Sequence, residues 1–464
     1  GTGSSGHAIT GLGHSPDLIW LKERGGNANH KWHDKIRGTN LQLQSNTTDP
    51  DEAVANQITS FDTNGFTLGS SNDVNQSGEN FIAWCWDSGS SNTTVSAGSL
   101  TTSYTYPDDL SDSWDATGST GTAANPANSF DGSSSTYTSM NASYTTTKWI
   151  PATPIPVHSS LRLYLGAIGT ANNQVSVNGA NIGSVNSSAQ WVTISSVTEL
   201  SEIALSDVGS THPYLYQIEV DGHVLTDTSA SIPGPTTPTI TSTYRANPST
   251  GFSIVSYTGT GSNATVAHGL NSPAHFIVVK NRDYDGLGWS VYHTSIGHNS
   301  GSNYIELQSP GAAGSDDTAF QDTAPTSTVF SIGTKPPCNE SGDELIAYCW
   351  SEVESYSKFS SYEGNDSTDG PYVWCGFRPK FILFKNADDS TDWRIYDAVR
   401  NLYNTVDKIL MPNDYEDEDT TSHPVDILSN GFKIRGTAGG MNESNTTICF
   451  AAFAESPFKY SNAR

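Results

Sequence analysis

The sequence repeats itself, and this repetition constrains the fold more than any other feature of the chain. The segment SGENFIAWCW (77–86) returns as SGDELIAYCW (341–350), with six of ten positions identical. Upstream, GTGSSGHAITGLGHSPDLIWLKER (1–24) matches GTGSNATVAHGLNSPAHFIVVKNR (259–282). A third, more diverged copy comprises GFRPKFILFKN (376–386) and TICFAAFAESPF (447–458). Because a segment that recurs at this length is one structural unit, we expect three modules of one kind.

The copies divide the chain into four predicted domains. We expect modules at 1–90, 231–353 and 354–464, with a different region, 91–230, inserted between the first two. The Asn-Gly and Asp-Gly turns in VNGA and VDGH lie between alternating segments and indicate that the insert consists of strands. GFSIVSYT precedes the second copy but not the first, so we expect a segment outside this sequence to complete the first module with at least one strand.

The composition favours an all-β protein over a helical one. Hydrophobic residues make up 35% of the 464 residues and charged residues 15%, while tryptophan occurs 11 times. Aromatic residues fit a pleated surface, and the abundant Gly, Ser and Asn provide turns. We therefore predict tandem β-sandwich or jelly-roll-like modules with an inserted β-sandwich. The one helical pattern is WRIYDAVRNLYNTVDKIL (393–410), for which we predict a turn or two of helix.

The charge of the chain excludes several kinds of partner. The formal net charge is −26, from 48 acidic and 22 basic residues. Such a surface repels phosphate backbones and anionic lipids, so we expect no nucleic-acid binding. No apolar run approaches the ~20 residues that span a bilayer, so we expect no membrane insertion.

Three motifs resemble functional sites, and each has a plainer interpretation. GTGSSG (1–6) matches a dinucleotide fingerprint, but no helix pattern follows it, so we predict a turn. His30 and His33 lie on opposite faces if they share a strand, and we favour a loop pair without a special role. The acidic run NDYEDEDTT (413–421) lacks EF-hand spacing, so we predict a solvated loop, with calcium binding as the alternative.

The cysteine pattern and the lack of catalytic motifs in the sequence argue against disulfides, a zinc site and catalysis. Five scattered cysteines without CxxC spacing indicate neither a disulfide framework nor a zinc site. In the third copy Ala452 replaces Cys85, whereas Trp86 becomes Phe453. Because Cys and Ala share one slot while the next stays aromatic, we predict that this strand is buried and that its thiol is not catalytic. No paired carboxylates or Ser/His/Asp arrangement indicates an enzyme, so we predict none.

A motif in the insert resembles that of a known domain family. NPANSFDGSSSTY (125–137), followed by KWIPATPI (148–155), resembles the galactose-binding-like jelly rolls of discoidin and carbohydrate-binding type. The resemblance implies a galactose-binding-like β-sandwich with a structural calcium ion at Asp131. It also implies that loop aromatics contact glycan, for which Trp114, Tyr137 and Trp149 are the candidates. A purely structural domain remains the alternative.

The outer parts of the chain resemble the tail-fibre and other virion-surface proteins of marine tailed bacteriophages. The motifs that carry this resemblance are LSNGFKIRG (428–436), FAAFAESPFKYSNAR (450–464) and the repeated pattern itself. It implies a non-enzymatic homotrimer on the virion surface, without a cofactor other than the calcium ion. The implied partners are other virion proteins and host cell-surface polysaccharide.

Two alternatives remain open at this point. One is a glycan-degrading tailspike or secreted glycosidase with accessory β-domains, although short regular β-helix repeats are absent from the sequence. The other is a bacterial extracellular adhesin built from the same modules.

Overall fold

A computed structural model describes residues 1–142, 145–158, 160–167, 174–184, 188–195, 197–207, 212–234, 236–296, 304–420 and 423–455. The chain forms two compact units, and the inserted one interrupts the other. Unit 1 comprises residues 1–100 and 237–464, and unit 2 comprises residues 101–236. The insert therefore begins later and ends later than the predicted range of 91–230.

The first repeat forms two antiparallel sheets. Their orders are β5-β4-β3-β2-β8 and β1-β7-β6. The elements before the insert are β1 (His7–Thr10), β2 (Leu18–Glu23), β3 (Lys31–Asp34), β4 (Gly38–Leu43), β5 (Glu52–Ala53), β6 (Ile58–Asp62), β7 (Gly65–Leu68), α1 (Asn72–Asn75), β8 (Phe81–Trp86) and β9 (Asn92–Val95).

The described residues of the insert form a β-sandwich around two four-stranded sheets, with three further two-stranded ladders. Its four-stranded sheets have the orders β13-β20-β16-β17 and β18-β15-β21-β22, and 3₁₀ turns lie at Leu110–Ser113 and Pro126–Phe130. Its strands are β10 (Ser103–Tyr106), β11 (Ala123–Ala124), β12 (Ser139–Met140), β13 (Thr146–Trp149), β14 (Ile155–Pro156), β15 (Leu161–Ala167), β16 (Gln174–Val177), β17 (Ala180–Ser184), β18 (Gln190–Ile194), β19 (Glu199–Leu200), β20 (Ile203–Ser206), β21 (Pro213–Val220), β22 (His223–Val224) and β23 (Ala230–Pro233).

The second repeat has a larger main sheet. Its order is β29-β28-β27-β31-β25-β24-β9, and β26 pairs with β30 in a small second sheet. The elements are β24 (Ser242–Asn247), β25 (Phe252–Thr258), β26 (Ala264–Ala267), β27 (Phe276–Asn281), β28 (Trp289–His293), β29 (Ile305–Glu306), α2 (Asp317–Phe320), β30 (Val329–Ile332), α3 (Pro336–Asn339) and β31 (Glu344–Trp350).

The third repeat has the sheet orders β32-β38-β34-β35 and β33-β37-β36. Its elements are β32 (Ser357–Glu363), β33 (Tyr372–Trp374), β34 (Phe381–Asn386), β35 (Arg394–Asp397), β36 (Val425–Leu428), β37 (Gly431–Ile434), α4 (Gly439–Asn442) and β38 (Thr447–Phe453). The described part of the chain is thus all-β apart from short helical turns, which confirms the predicted fold class.

The strand register confirms the alignment of the copies. Trp86 pairs with Leu18 in the first copy, Trp350 with Phe276 in the second, and Phe453 with Phe381 in the third. The segments GTGSSG and GTGSNA are turns, as predicted, and a strand rather than a helix follows each.

The three repeats share one core. One face of each main sheet contributes to a single hydrophobic cluster, while the other face packs on the small sheet of the same repeat. At the centre, the Trp86 ring lies 5.9 Å from that of Trp350 and 5.8 Å from that of Phe453. The modules predicted as separate tandem domains are therefore parts of one folded unit.

Backbone hydrogen bonds link the repeats in a cycle. In each link, a backbone N–H group of one repeat donates to a carbonyl oxygen of another repeat. The acceptor residue comes directly after strand β2, β27 or β34. The links are Asp51 N–H to Arg282 O (2.8 Å), Ala313 N–H to Ala387 O (2.7 Å) and Glu418 N–H to Arg24 O (2.9 Å). Each repeat thus contacts both others.

A buried lysine marks the same position in every repeat. Lys22, Lys280 and Lys385 are each 1% exposed or less, and each Nζ donates to at least two carbonyl oxygens. Burial lowers the pKa of each to about 8, so each remains mostly protonated at pH 7. Lys280 reaches Thr48 O of the first repeat, and Lys385 reaches Pro310 O of the second, so these cations also join repeats.

The helix predicted within 393–410 is wrong. Arg394–Asp397 is strand β35, which pairs with β34 and supplies the buried Ile395 to the shared core. The chain then turns, because Asp397 Oδ1 accepts hydrogen bonds from the N–H groups of Val399 and Arg400. Tertiary strand pairing overrides the local helical pattern here.

The two ends of unit 1 that flank the insert lie side by side. Strand β9, before the insert, pairs with β24, after it. The N–H of Leu100 donates to Thr237 O at 2.8 Å, and that of Gly98 donates to Pro238 O at 2.7 Å. Residues 91–100, predicted to belong to the insert, therefore belong to unit 1.

We expect Trp86→Ala to destabilise the protein far more than Cys85→Ala. Trp86 is 6% exposed in the shared core, whereas Cys85 is half-buried and faces the smaller cluster of the first repeat. Loss of the tryptophan should cost about 3 kcal/mol or more and loss of the thiol about 1 kcal/mol, measured by urea denaturation. Equal losses would contradict the assignment of Trp86 to the shared core.

We also expect acid to destabilise unit 1 before carboxylates are fully protonated. Burial lowers the pKa of His33, His268 and His293 to about 4, below the usual 6.5. Between these values the unfolded chain binds protons that the folded chain does not, so stability is full above about pH 6.5 and falls as the pH drops towards 4. Melting temperatures across this range should fall, and His293→Gln should make the slope shallower; an unchanged slope would contradict the prediction.

Candidate functional site

The outward face of one sheet of unit 2 carries a row of aromatic side chains. Along β15, Leu161, Leu163 and Leu165 point into the sandwich core and are at most 1% exposed. The alternate residues Arg162 and Tyr164 are half-buried and lie on the other face, because successive strand residues point to opposite sides. This face of the sheet therefore presents polar and aromatic side chains outside the sandwich core.

The neighbouring strands extend the row on both sides. Tyr164 pairs directly with Trp191 of β18 and with Gln217 of β21. A register shift between β15 and β21 follows Tyr164, because Leu165 pairs with Leu215 and leaves Tyr216 as the extra residue. A bulge of this kind redirects a side chain, and here it brings Tyr216 beside Tyr164.

Five rings form a continuous series, which we call the aromatic ribbon: Tyr137, Tyr214, Tyr216, Tyr164 and Trp191. Tyr137 stacks on Tyr214 at 3.9 Å between ring centroids, with 17° between the planes. Tyr216 lies 5.3 Å from Tyr137 and 5.3 Å from Tyr164, and Tyr164 lies 5.2 Å from Trp191. Trp191, at one end, is 37% exposed.

Charged and polar groups border the ribbon. The Arg162 guanidinium lies 4.8 Å from the centroid of the Trp191 ring, a cation–π contact. Its Nε and Nη2 donate to the two carboxylate oxygens of Glu219, at 2.8 and 2.7 Å. Gln217 Nε2 donates to Gly132 O at 2.9 Å. Burial is the main cause that raises the pKa of Tyr214 to about 12, so its hydroxyl stays neutral at physiological pH.

The sequence-predicted candidates are placed differently from one another. Tyr137 belongs to the aromatic ribbon and is half-buried. Trp149 is fully buried in the sandwich core, where its Nε1–H donates to Leu110 O at 2.8 Å and its ring packs on Phe130. Trp114 is 7% exposed and belongs to the same cluster. Neither tryptophan presents a ring face to solvent, so their observed role is packing.

Asp131 caps a turn. Its Oδ1 accepts from the N–H of Ser133 at 2.7 Å, and its Oδ2 accepts from the hydroxyl of Thr136 at 2.6 Å. Calcium takes six to eight oxygen ligands, often from several carboxylates. Among the described residues, no three His, Cys, Asp or Glu side chains cluster in a way that could hold a metal ion. The side chains described around Asp131 do not form a calcium cage, and calcium at this turn stays a prediction of the resemblance.

Sequence reasoning missed four members of the ribbon: Tyr164, Trp191, Tyr214 and Tyr216. The signal was present in RLYLGA (162–167) and QWVTI (190–194). In both segments a large aromatic residue occupies the position that alternation assigns to the solvent side: Tyr164 lies between two core leucines, and Trp191 is out of phase with Val192 and Ile194. An aromatic residue at such a position is informative when its strand neighbours carry others.

One protein-family profile matches the chain. The profile of a domain of unknown function, DUF7483, matches residues 1–212 and 227–457, which is nearly the whole chain. The chain belongs to the DUF7483 family. No curated protein and no solved structure matches it significantly. The family description assigns no activity to this DUF7483 protein.

A concavity elsewhere in unit 2 has no aromatic ring among its described lining residues. It has a volume of about 630 Å³ and opens between β17 and β18, where Ile182, Val192 and Ile194 lie beside polar residues such as Asn181 and Glu199. These apolar side chains also pack against the sandwich core, so the concavity is a gap at the edge of that core. The ribbon combines rings with hydrogen-bonding groups and is the stronger candidate.

The remaining sequence candidates of the DUF7483 chain are structural. The predicted loop pair His30 and His33 is instead buried; His30 Nδ1 accepts from Trp20 Nε1–H at 2.8 Å, and His33, within β3, contacts Gln57 Oε1 at 2.9 Å. Glu418 of the acidic run binds Arg24 and Arg400 at 3.0 and 3.2 Å. No described helix is long and apolar enough to cross a bilayer.

We expect Asp131→Ala to cost about 1 kcal/mol of unfolding free energy, because two hydrogen bonds of the turn are lost. Urea denaturation in the presence of a chelator measures this loss, and an unchanged stability would contradict the role of Asp131 in the turn. The same measurement with added calcium tests the ion that the resemblance implies. Calcium that stabilises the wild-type protein but not the Asp131→Ala variant would establish the site.

Proposed function

We propose that unit 2 binds carbohydrate through the aromatic ribbon, as the attachment module of a non-enzymatic virion-surface protein. The observation that carries this proposal is the contact series of five rings on the outward face of a sheet. Tyr and Trp rings combine an apolar face with a polar group, which suits a sugar ring with its C–H face and its hydroxyl edge. A contiguous group of such residues outside the core marks an interaction surface.

The charges point to a neutral glycan. The chain carries a net charge of −26, which repels polyanionic polysaccharides over long range. Arg162 is the cation that borders the ribbon, and Glu219 already neutralises it through two hydrogen bonds. Hydroxyl groups of a neutral sugar can instead bond to the tyrosine hydroxyls of the ribbon. We therefore propose an uncharged segment of host cell-surface polysaccharide as the ligand.

The same geometry supports binding rather than hydrolysis. Glycoside hydrolysis commonly uses two carboxyl groups that flank the scissile bond, one of them with a raised pKa. The carboxylate beside the ribbon is Glu219, which is 8% exposed and fixed by Arg162. Both carboxylate oxygens of Glu219 accept hydrogen bonds from Arg162, so neither is placed to protonate a glycosidic oxygen.

The place of the protein on a phage particle rests on the resemblance of its outer parts to tail-fibre and other virion-surface proteins. The shared core supports it, because three repeats that bury one another form a rigid body without a disulfide among the described cysteines. We keep the homotrimer and the other virion proteins as parts of this proposal, since cyclic symmetry is common among homo-oligomers. Analytical ultracentrifugation tests the oligomer, and electron microscopy of the source particle tests the location.

Substitution in the ribbon tests carbohydrate binding. We expect Trp191→Ala and Tyr164→Ala to weaken binding of host envelope polysaccharide at least tenfold each, or ~1.4 kcal/mol, in affinity electrophoresis or calorimetry. Trp374→Ala is the matched control, because Trp374 is 59% exposed but belongs to unit 1. Melting temperatures verify that each variant folds.

Three outcomes would overturn the proposal. Binding that survives both ribbon substitutions would place the glycan elsewhere, and equal losses from Trp374→Ala would indicate non-specific adhesion. Release of new reducing ends from the polysaccharide by the wild-type protein would favour an enzyme.

A further inference from the structure

One strand of the first repeat has an open edge where its equivalents in the other repeats are enclosed. Strand β31 lies between β27 and β25, and β38 lies between β34 and β32. Among the described residues, the equivalent strand β8 pairs with β2 alone and is the last strand of its sheet. The backbone groups on its far side have no ladder partner there, which makes β8 a template for a further strand.

The burial of β8 differs accordingly from that of its equivalents. Leu345, Ile346, Ala347 and Cys349 of β31 are all 0% exposed. The matching residues of β8 are Phe81, Ile82, Ala83 and Cys85, and all four are only half-buried. The sequences of the two strands are alike, so the difference arises from what covers them.

In the second and third repeats, a flanking strand supplies the cover. Phe252 and Ile254 of β25 enter the shared core, while Val255 and Tyr257 enter the cluster behind the sheet. The corresponding cluster of the first repeat is smaller, and a concavity of about 270 Å³ opens beside β8, with Leu21, Phe66 and Val74 in its lining.

The second and third repeats indicate that a tyrosine side chain would fill this concavity. Tyr257 and Tyr362 occupy the same position of β25 and β32, since Phe252 and Ser357 pair with the equivalent residues Trp350 and Phe453. Each hydroxyl donates at 2.7 Å to the carbonyl oxygen just before a buried asparagine: Tyr257 to Cys338 O and Tyr362 to Met441 O. The equivalent carbonyl of the first repeat belongs to Val74, which directly precedes the buried Asn75 and also lines the concavity.

The first repeat already contains the turn that follows strand β25 in the second repeat. In the second repeat, β25 runs directly into Gly259, whose N–H donates to Asp343 O, and Gly261 N–H donates to Asn339 O. In the first repeat, Gly1 N donates to the equivalent Glu79 O, and Gly3 N–H donates to Asn75 O. A segment joined to Gly1 would therefore be directed along the open edge of β8, antiparallel to it.

We propose that β8 is the acceptor edge for one extended strand that runs directly into Gly1, with an apolar third residue and a tyrosine at the sixth of its seven positions. Ile254 and Phe359 occupy the third position in the other repeats, and Tyr257 and Tyr362 the sixth. The tyrosine hydroxyl donates to Val74 O. The net charge of −26 opposes the rival occupant, a second copy paired edge to edge.

An extended chain tests this inference. The seven residues of Phe252–Thr258 are placed directly before Gly1 of the full chain, beside matched controls with Tyr→Phe at the sixth position and with Asp at the third and sixth positions. We expect the first extension to raise the melting temperature by several degrees and to slow amide hydrogen exchange of Phe81–Trp86 at least tenfold. The Tyr→Phe control should give a smaller effect and the Asp control none.

A second measurement separates the possible failures. The free peptide of the same sequence, added to the unextended chain, should slow exchange in β8 in proportion to its concentration, even where an extended variant folds poorly. Unchanged β8 exchange with both extension and peptide would overturn the proposal. Exchange in the unextended chain that slows as the protein is concentrated would show that a second copy occupies the edge, and would overturn it as well.

Discussion

The rest of unit 1 depends on the burial of three sheets against one another. A single repeat has an apolar face that its own small sheet does not cover, and the other two repeats cover it. The contact of Trp86 with Trp350 and Phe453 places one large ring from each repeat at the centre. The buried lysines and the cyclic backbone hydrogen bonds then fix the orientation, because an ammonium group buried without its carbonyl oxygens would be costly. Hydrophobic burial brings the repeats together, and the polar contacts permit one arrangement.

Much of this could be predicted from the sequence, and what could not has a physical reason. The repeat alignment gave the module and the slot shared by Cys85 and Ala452, since strand register repeats with the sequence. The alignment could not reveal that the modules share a core. An apolar strand face has the same sequence pattern whether it packs within its own module or against another. A signal was overlooked in NQS (75–77), NES (339–341) and NES (442–444). Each begins with a fully buried asparagine whose Nδ2 donates to two backbone carbonyl oxygens.

The candidate site was predicted less well than the fold. Tyr137 was reached through a motif resemblance, and the same resemblance selected Trp149, which the core absorbs. Position near the motif cannot distinguish Tyr137 from Trp149, because a ring next to a loop can point either into the core or towards solvent. The alternation around Tyr164 and Trp191 could have done so, but the bulge that places Tyr216 beside Tyr164 breaks the alternation and is not visible in the sequence. Sites that depend on an irregular strand are the ones that pattern reasoning loses first.

The pairing of β9 with β24 has a consequence for how such a protein can change. Both ends of the insert leave unit 1 from adjacent strands, held together by backbone hydrogen bonds that depend little on side chains. Whatever lies between Leu100 and Thr237 therefore need only begin and end at neighbouring points to be accommodated. Unit 1 can act as a constant frame and the insert as an exchangeable cassette. Recombination at these two strands could then replace unit 2 without repacking the core that the repeats share.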